Sequence, residues 1–91
     1  MSKIEVIDFF ASWCGPCRIM KPTIEEIEKT YEGKLSFHKY DIDEHQEEAQ
    51  KYNVMSIPTV LIVKEGKVIN QFVGAQSKDT LTKAIDSAIQ E

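Results

Sequence analysis

The chain predicts an α/β domain: a four-stranded mixed sheet flanked by three helices, in the order β-α-β-α-β-β-α. Three observations carry that expectation. Residues 4–11 are almost continuously apolar, as a strand covered on both faces by helices must be. From Cys17 the apolar residues recur at helical spacing instead, so a helix follows the strand closely. Farther on, residues 59–64 and 67–73 form two β-rich runs separated only by Glu65-Gly66, the signature of an antiparallel hairpin.

Each element has its own local reasons. In the first strand only Glu5 and Asp8 interrupt the apolar run. In the first helix Met20, Ile24, Ile27 and Tyr31 share one stripe, while Glu25, Glu26 and Glu28 face water. Pro22 falls inside that helix, where it removes a backbone bond and predicts a kink. Gly33 stops the helix. Residues 35–42 read as the second strand. Asp43 then reads as an N-cap, with Gln46 three residues on completing a capping box. The short helix behind it is expected to bury Ala49 and Tyr52 and to end at Asn53. Residues 59–64 are the strongest β run, rich in branched side chains. After the return strand Gly74 marks a bend. Ser77 caps a last helix with Leu81, Ala84, Ile85, Ala88 and Ile89 on its apolar stripe.

The composition narrows the function classes. Ninety-one residues with 42% apolar content predict one small soluble domain, residues 1–91, with a thin core. A net charge of −4 argues against nucleic acid or an anionic membrane as partner, because phosphate binding needs clustered Lys and Arg. No apolar run approaches the roughly 20 residues that span a bilayer. The first residues lack a basic-then-apolar signal pattern, so a cytoplasmic, monomeric protein is expected.

Cys14 and Cys17 are the only cysteines, set in the run Trp13-Cys14-Gly15-Pro16-Cys17. A bridge that encloses two residues closes almost no chain and adds little stability, so the pair calls for a chemical explanation. Zinc would need further ligands, and His38 and His45 are wrongly spaced for it. Covalent haem would need a His after Cys17, where Arg18 stands. No metal or other bound cofactor is expected. The redox reading has a mechanism. A helix N-terminus favours thiolate over thiol, most of all for Cys14 at the boundary. Cys14 is expected to be the more exposed sulfur and to attack a target disulfide, and the more shielded Cys17 to resolve the mixed disulfide. Gly15 keeps bulk away from the incoming sulfur, and Pro16 stiffens the helix start.

Trp-Cys-Gly-Pro-Cys behind an apolar strand resembles the thioredoxin family, and the resemblance extends over nearly the whole chain from Val6 onward. It implies a thioredoxin-like fold and a dithiol–disulfide oxidoreductase that reduces protein disulfides and is recharged by a thioredoxin reductase, usually an NADPH-dependent flavoprotein. On it, Asp8 matches a buried acid and Lys39 a lysine near that acid. Pro22 matches a helix-kinking proline, Ile57-Pro58-Thr59 a cis-proline segment facing the disulfide, and Gly74-Ala75 a neighbouring glycine loop. Two departures stand out. Only thirteen residues precede Cys14, which leaves out the family's usual first strand and helix, and Phe10 stands where many members carry a second Trp.

The supporting residues also have readings of their own. Asp8 breaks an apolar strand, where a carboxylate is costly to bury unless paired or protonated; it is expected to accept the Cys17 proton, with Lys39 modulating it. Trp13, Ile57, Pro58 and Ala75 are expected to form an apolar rim around Cys14 that docks target segments. The acids Asp41, Asp43, Glu44, Glu47 and Glu48 read as a solvated helix start.

Overall fold

The computed structural model describes residues 3–90. Within them the order is β1 (Ile4–Phe10), α1 (Gly15–Thr30), β2 (Ser36–Asp41), α2 (Gln46–Lys51), β3 (Thr59–Lys64), β4 (Lys67–Val73) and α3 (Lys78–Gln90). The strands form one sheet in the order β2-β1-β3-β4. β1 runs parallel to β2 and antiparallel to β3, and β3 runs antiparallel to β4. This is the mixed four-stranded sheet with three helices that the sequence predicts.

The two central strands explain their own composition. Side chains alternate between faces along a strand, so β1 and β3 need apolar residues at both parities. Ile4, Val6, Val60 and Ile62 pack on one face with Met20, Ile24 and Ile27 of α1 and Leu81, Ile85 and Ala88 of α3. Ile7, Phe9, Leu61 and Val63 pack on the other, against Ala49, Tyr52 and Val54 around α2. Asp8 has the parity of the first set and therefore lies on the α1 face.

Local chemistry sets the turns. Glu65 and Gly66 both adopt positive φ (51° and 82°), the two-residue geometry that joins twisted antiparallel strands. Ser77 caps α3 as expected, its Oγ accepting the Thr80 N–H at 3.1 Å. Asn53 ends the second helical segment at φ 59°, a conformation asparagine tolerates better than most.

Four expectations are corrected. α1 starts at Gly15 rather than Cys17, because Cys14 itself is the N-cap. Asp43 does not cap α2; that helix starts at Gln46 behind His45, which makes no side-chain cap bond. The reason is that Asp41 claims the turn, its carboxylate accepting the Asp43 N–H at 2.9 Å and its carbonyl the N–H groups of Glu44 and His45. α2 consequently buries no residue fully, and Ala49 and Tyr52 are only partly covered. Ile89 leaves the α3 stripe and is 42% exposed.

Candidate active site

The cysteines sit where β1 ends and α1 begins. The connecting turn closes through the Cys14 N–H, which donates to the Ala11 carbonyl at 3.2 Å. Arg18 stiffens it by donating from Nε to the Ser12 carbonyl at 3.2 Å. Cys14 and Cys17 are bonded to each other, with Cα atoms 5.3 Å apart. The Cys14 sulfur also accepts the Cys17 backbone N–H at 3.2 Å, in the way a capping oxygen usually does. That bond and the helix dipole both favour negative charge on Cys14 once the bridge is open. Pro16 lies in the first turn of α1, where its missing N–H costs nothing. A Cβ added at Gly15 would meet no atom within 4 Å, so the surface before the sulfurs is open there.

The expected difference in exposure is not found. Cys14 is 5% and Cys17 7% exposed, because Phe10, Ile42 and Ile57 cover both, together with Ala11. The sulfurs differ instead in what surrounds them. Cys14 holds the cap position, whereas Cys17 lines a cleft of about 550 Å³ shared with Asp8, Phe10, Arg18, Lys21 and Lys39.

Asp8 is the buried carboxyl of that cleft. It is 6% exposed, and its Oδ1 has no hydrogen-bond partner among the described residues. Burial pushes its pKa from the ordinary 3.8 up to about 6, and the Lys39 cation offsets part of that rise. Lys39 lies opposite Asp8 in the β1–β2 register. Its Nζ, however, donates to Glu28 Oε1 on α1 at 2.7 Å.

Across the sulfurs the Ile57–Pro58 peptide is cis. The segment is tied down on both sides: the Gly74 N–H donates to the Pro58 carbonyl at 2.8 Å, and Thr59 Oγ1 to the Ser56 carbonyl at 2.6 Å. Pro58 is fully buried and Ile57 half-buried against the cysteines. Gly74 takes φ 94°, a conformation that favours glycine. Ala75 follows it, exposed.

Trp13 is 63% exposed, and its Nε1 donates to Asp43 Oδ2 at 2.9 Å. Sequence reasoning assigned Asp43 to a helix cap; it holds the indole instead. Three further exposed apolar residues escaped notice: Ile19, Met55 and Val73. Each lies within two positions of Cys17, Ile57 or Gly74 in the chain, and that proximity was the available signal.

Among the described residues no group of three or more His, Cys, Asp or Glu side chains could hold a metal ion. No helix among them is long and apolar enough to cross a membrane. A family model described as Thioredoxin matches residues 1–87. A thioredoxin from Staphylococcus aureus is 44% identical over 85 residues, covering 93% of this chain and 82% of that one. The X-ray structure of Fasciola hepatica thioredoxin superposes with a TM-score of 0.85 at 38% identity, covering 94% of this chain and 81% of the other. A chain from work on thiol resolution in yeast mitochondrial 1-Cys peroxiredoxin via glutathione/thioredoxin systems gives 0.84 at 34% identity, covering 93% and 78%.

Proposed function

The chain belongs to the thioredoxin family, and from that premise we propose that it reduces disulfide bonds in other proteins, with Cys14 attacking and Cys17 resolving. Dithiol–disulfide oxidoreduction through this pair is the family's chemistry; the direction, the division of labour and the partners are the further reading. The observation that carries it is the Cys14 sulfur capping α1 and accepting the Cys17 N–H, beside a cleft that Cys17 shares with a buried acid.

The reaction balances in two exchanges. In the dithiol form the Cys14 thiolate attacks one sulfur of a target disulfide. A Cys14–target bond forms, and the other target sulfur leaves as a thiolate. Cys17 then gives its proton to the Asp8 carboxylate and attacks the Cys14 sulfur. The mixed disulfide breaks, the second target sulfur leaves, and the proton passes to it. Two electrons have moved, the first target thiolate takes its proton from water so that the target holds two thiols, and Cys14 is bonded to Cys17.

Asp8 suits this role because its pKa of about 6 lies near neutral pH, where proton transfer in both directions is efficient. Trp13, Ile57, Gly74 and Ala75 form the rim that would hold an extended target segment, Pro58 lies buried beneath it instead of on it as the sequence predicts, and Gly15 and Pro16 leave its approach open. We assign recharging to a thioredoxin reductase, an NADPH-dependent flavoprotein. A cytoplasmic, monomeric, single-domain protein fits a pair that must be kept reduced to act.

Insulin reduction driven by NADPH and a thioredoxin reductase tests the reading. Wild type is expected to turn over, and Cys14→Ser to lose activity at least about 10³-fold, a loss of some 4 kcal/mol in transition-state stabilisation. Cys17→Ser is expected to accumulate the mixed disulfide on Cys14, visible by mass. Undiminished reduction by Cys14→Ser would sink the proposal.

A further inference from the structure

Two grooves flank Lys39. One is the cleft of Asp8 and Cys17; the other, about 820 Å³, runs outward along α1 and β2 and is lined by Glu26, Glu28, Glu32, Leu35 and Phe37. Lys39 and Glu25 line both, so the lysine stands on the wall between them. Its ammonium lies on the outer side, bound to Glu28 at 2.7 Å. Glu28 is eleven residues beyond Cys17 on α1, about 16 Å along the axis at 1.5 Å per residue.

We infer that Glu28 is a positioning residue for the redox step: it holds the Lys39 ammonium on the side of the outer groove and so keeps that charge from closing directly on Asp8 where it meets Cys17. The inference rests on the proposed role of Asp8 as proton acceptor. The geometry leaves Lys39 a choice. Asp8 and Lys39 are register partners on adjacent strands, so the same flexible stem reaches toward either acid. Both partners of the outer pair are partly exposed (40% and 38%), and such a pair is weak enough for a buried carboxylate to compete with it. The other charged groups facing Asp8 come from α1: Arg18, Lys21 and Glu25. Arg18 is engaged with the Ser12 carbonyl. Apart from Phe10 and Ala11, which follow Asp8 in the chain, the remaining wall includes Ile24, and the β3 partner of Asp8 is Val60, neither with charge to offer. Lys39 is the cation whose charge acts on Asp8.

Without Glu28 the ammonium turns inward and favours ionised Asp8. An acid that ionises more readily is a poorer acceptor for the Cys17 proton, and Cys17 resolves more slowly.

The test is Glu28→Gln, read by NMR titration of the Asp8 carboxyl carbon and by the pH profile of insulin reduction. The Asp8 midpoint is expected to fall by about one pH unit, the lower end of what a close opposite charge produces. The acidic limb of the profile is expected to follow it. In a Lys39→Met background the same substitution is expected to move neither. An unmoved midpoint in Glu28→Gln overturns the inference, and so does an equal shift in the Lys39→Met background, since Glu28 would then act directly. Asp8→Asn separates the underlying reading. If that variant keeps the wild-type profile, Asp8 is not the acceptor, while the carboxyl titration still reports whether Glu28 governs Lys39.

Discussion

At Asp8 a single carboxyl links stability to chemistry. Its pKa is near 3.8 in the unfolded chain and about 6 in the fold. Below pH 3.8 both states are protonated and burial carries no electrostatic cost. Between 3.8 and 6 the unfolded chain ionises first, so stability falls as pH rises. Above 6 the full cost is present, about 3 kcal/mol at roughly 1.4 kcal/mol for each pH unit of separation. Asp8→Asn is therefore expected to stabilise the protein by about 3 kcal/mol at pH 7.5 and by almost nothing at pH 3.5. Urea unfolding at the two pH values checks this; equal gains at both would point to packing instead of charge. The cysteines and Asp8 were legible because each contradicts its surroundings: two thiols too close to act as a staple, and an acid in an apolar strand. The Trp13–Asp43 and Lys39–Glu28 bonds were not legible. Their partners are 30 and 11 residues apart in the chain, and only the packing of separate elements brings them together.

At the scale of elements, legibility followed locality. The β3–β4 hairpin is encoded in its own two turn residues, and α3 in the cap at Ser77, so both were readable where they stand. Ser77→Ala is expected to cost about 1 kcal/mol through the lost cap, measurable as a lower urea midpoint with unchanged slope. α2 was misplaced because two acids compete for one turn, and nothing in the local pattern says that Asp41 wins while Asp43 turns to an indole. A helix of six residues that buries none of them fully draws its stability from Tyr52 and Val54 behind it, which pack on Phe9 and its neighbours.

At the scale of the whole molecule, α1 and α3 cover one face of the sheet and are joined at their far ends. Tyr31, the C-cap of α1, donates its hydroxyl to Asp86 Oδ1 at 2.6 Å. Burial, then the Asp86 carboxylate, pushes the tyrosine up to about 12, so it remains a donor at any working pH. Tyr31→Phe is expected to lower unfolding free energy by about 1 kcal/mol while insulin reduction stays at the wild-type rate. A loss of activity would mean that the α1–α3 junction reaches the cysteines.

The two-faced β1 carries one more consequence. Because residues on both of its faces are apolar, hydrophobic burial alone scarcely distinguishes one register from the next, and a slip by one residue would exchange the faces. Asp8 breaks that tie. On the α1 side its carboxyl opens onto a cleft; on the α2 side the neighbouring position is Phe9, fully buried against Tyr40 and Tyr52, with no room for a polar group. The acid buried beside Cys17 also tells the central strand which way up to lie.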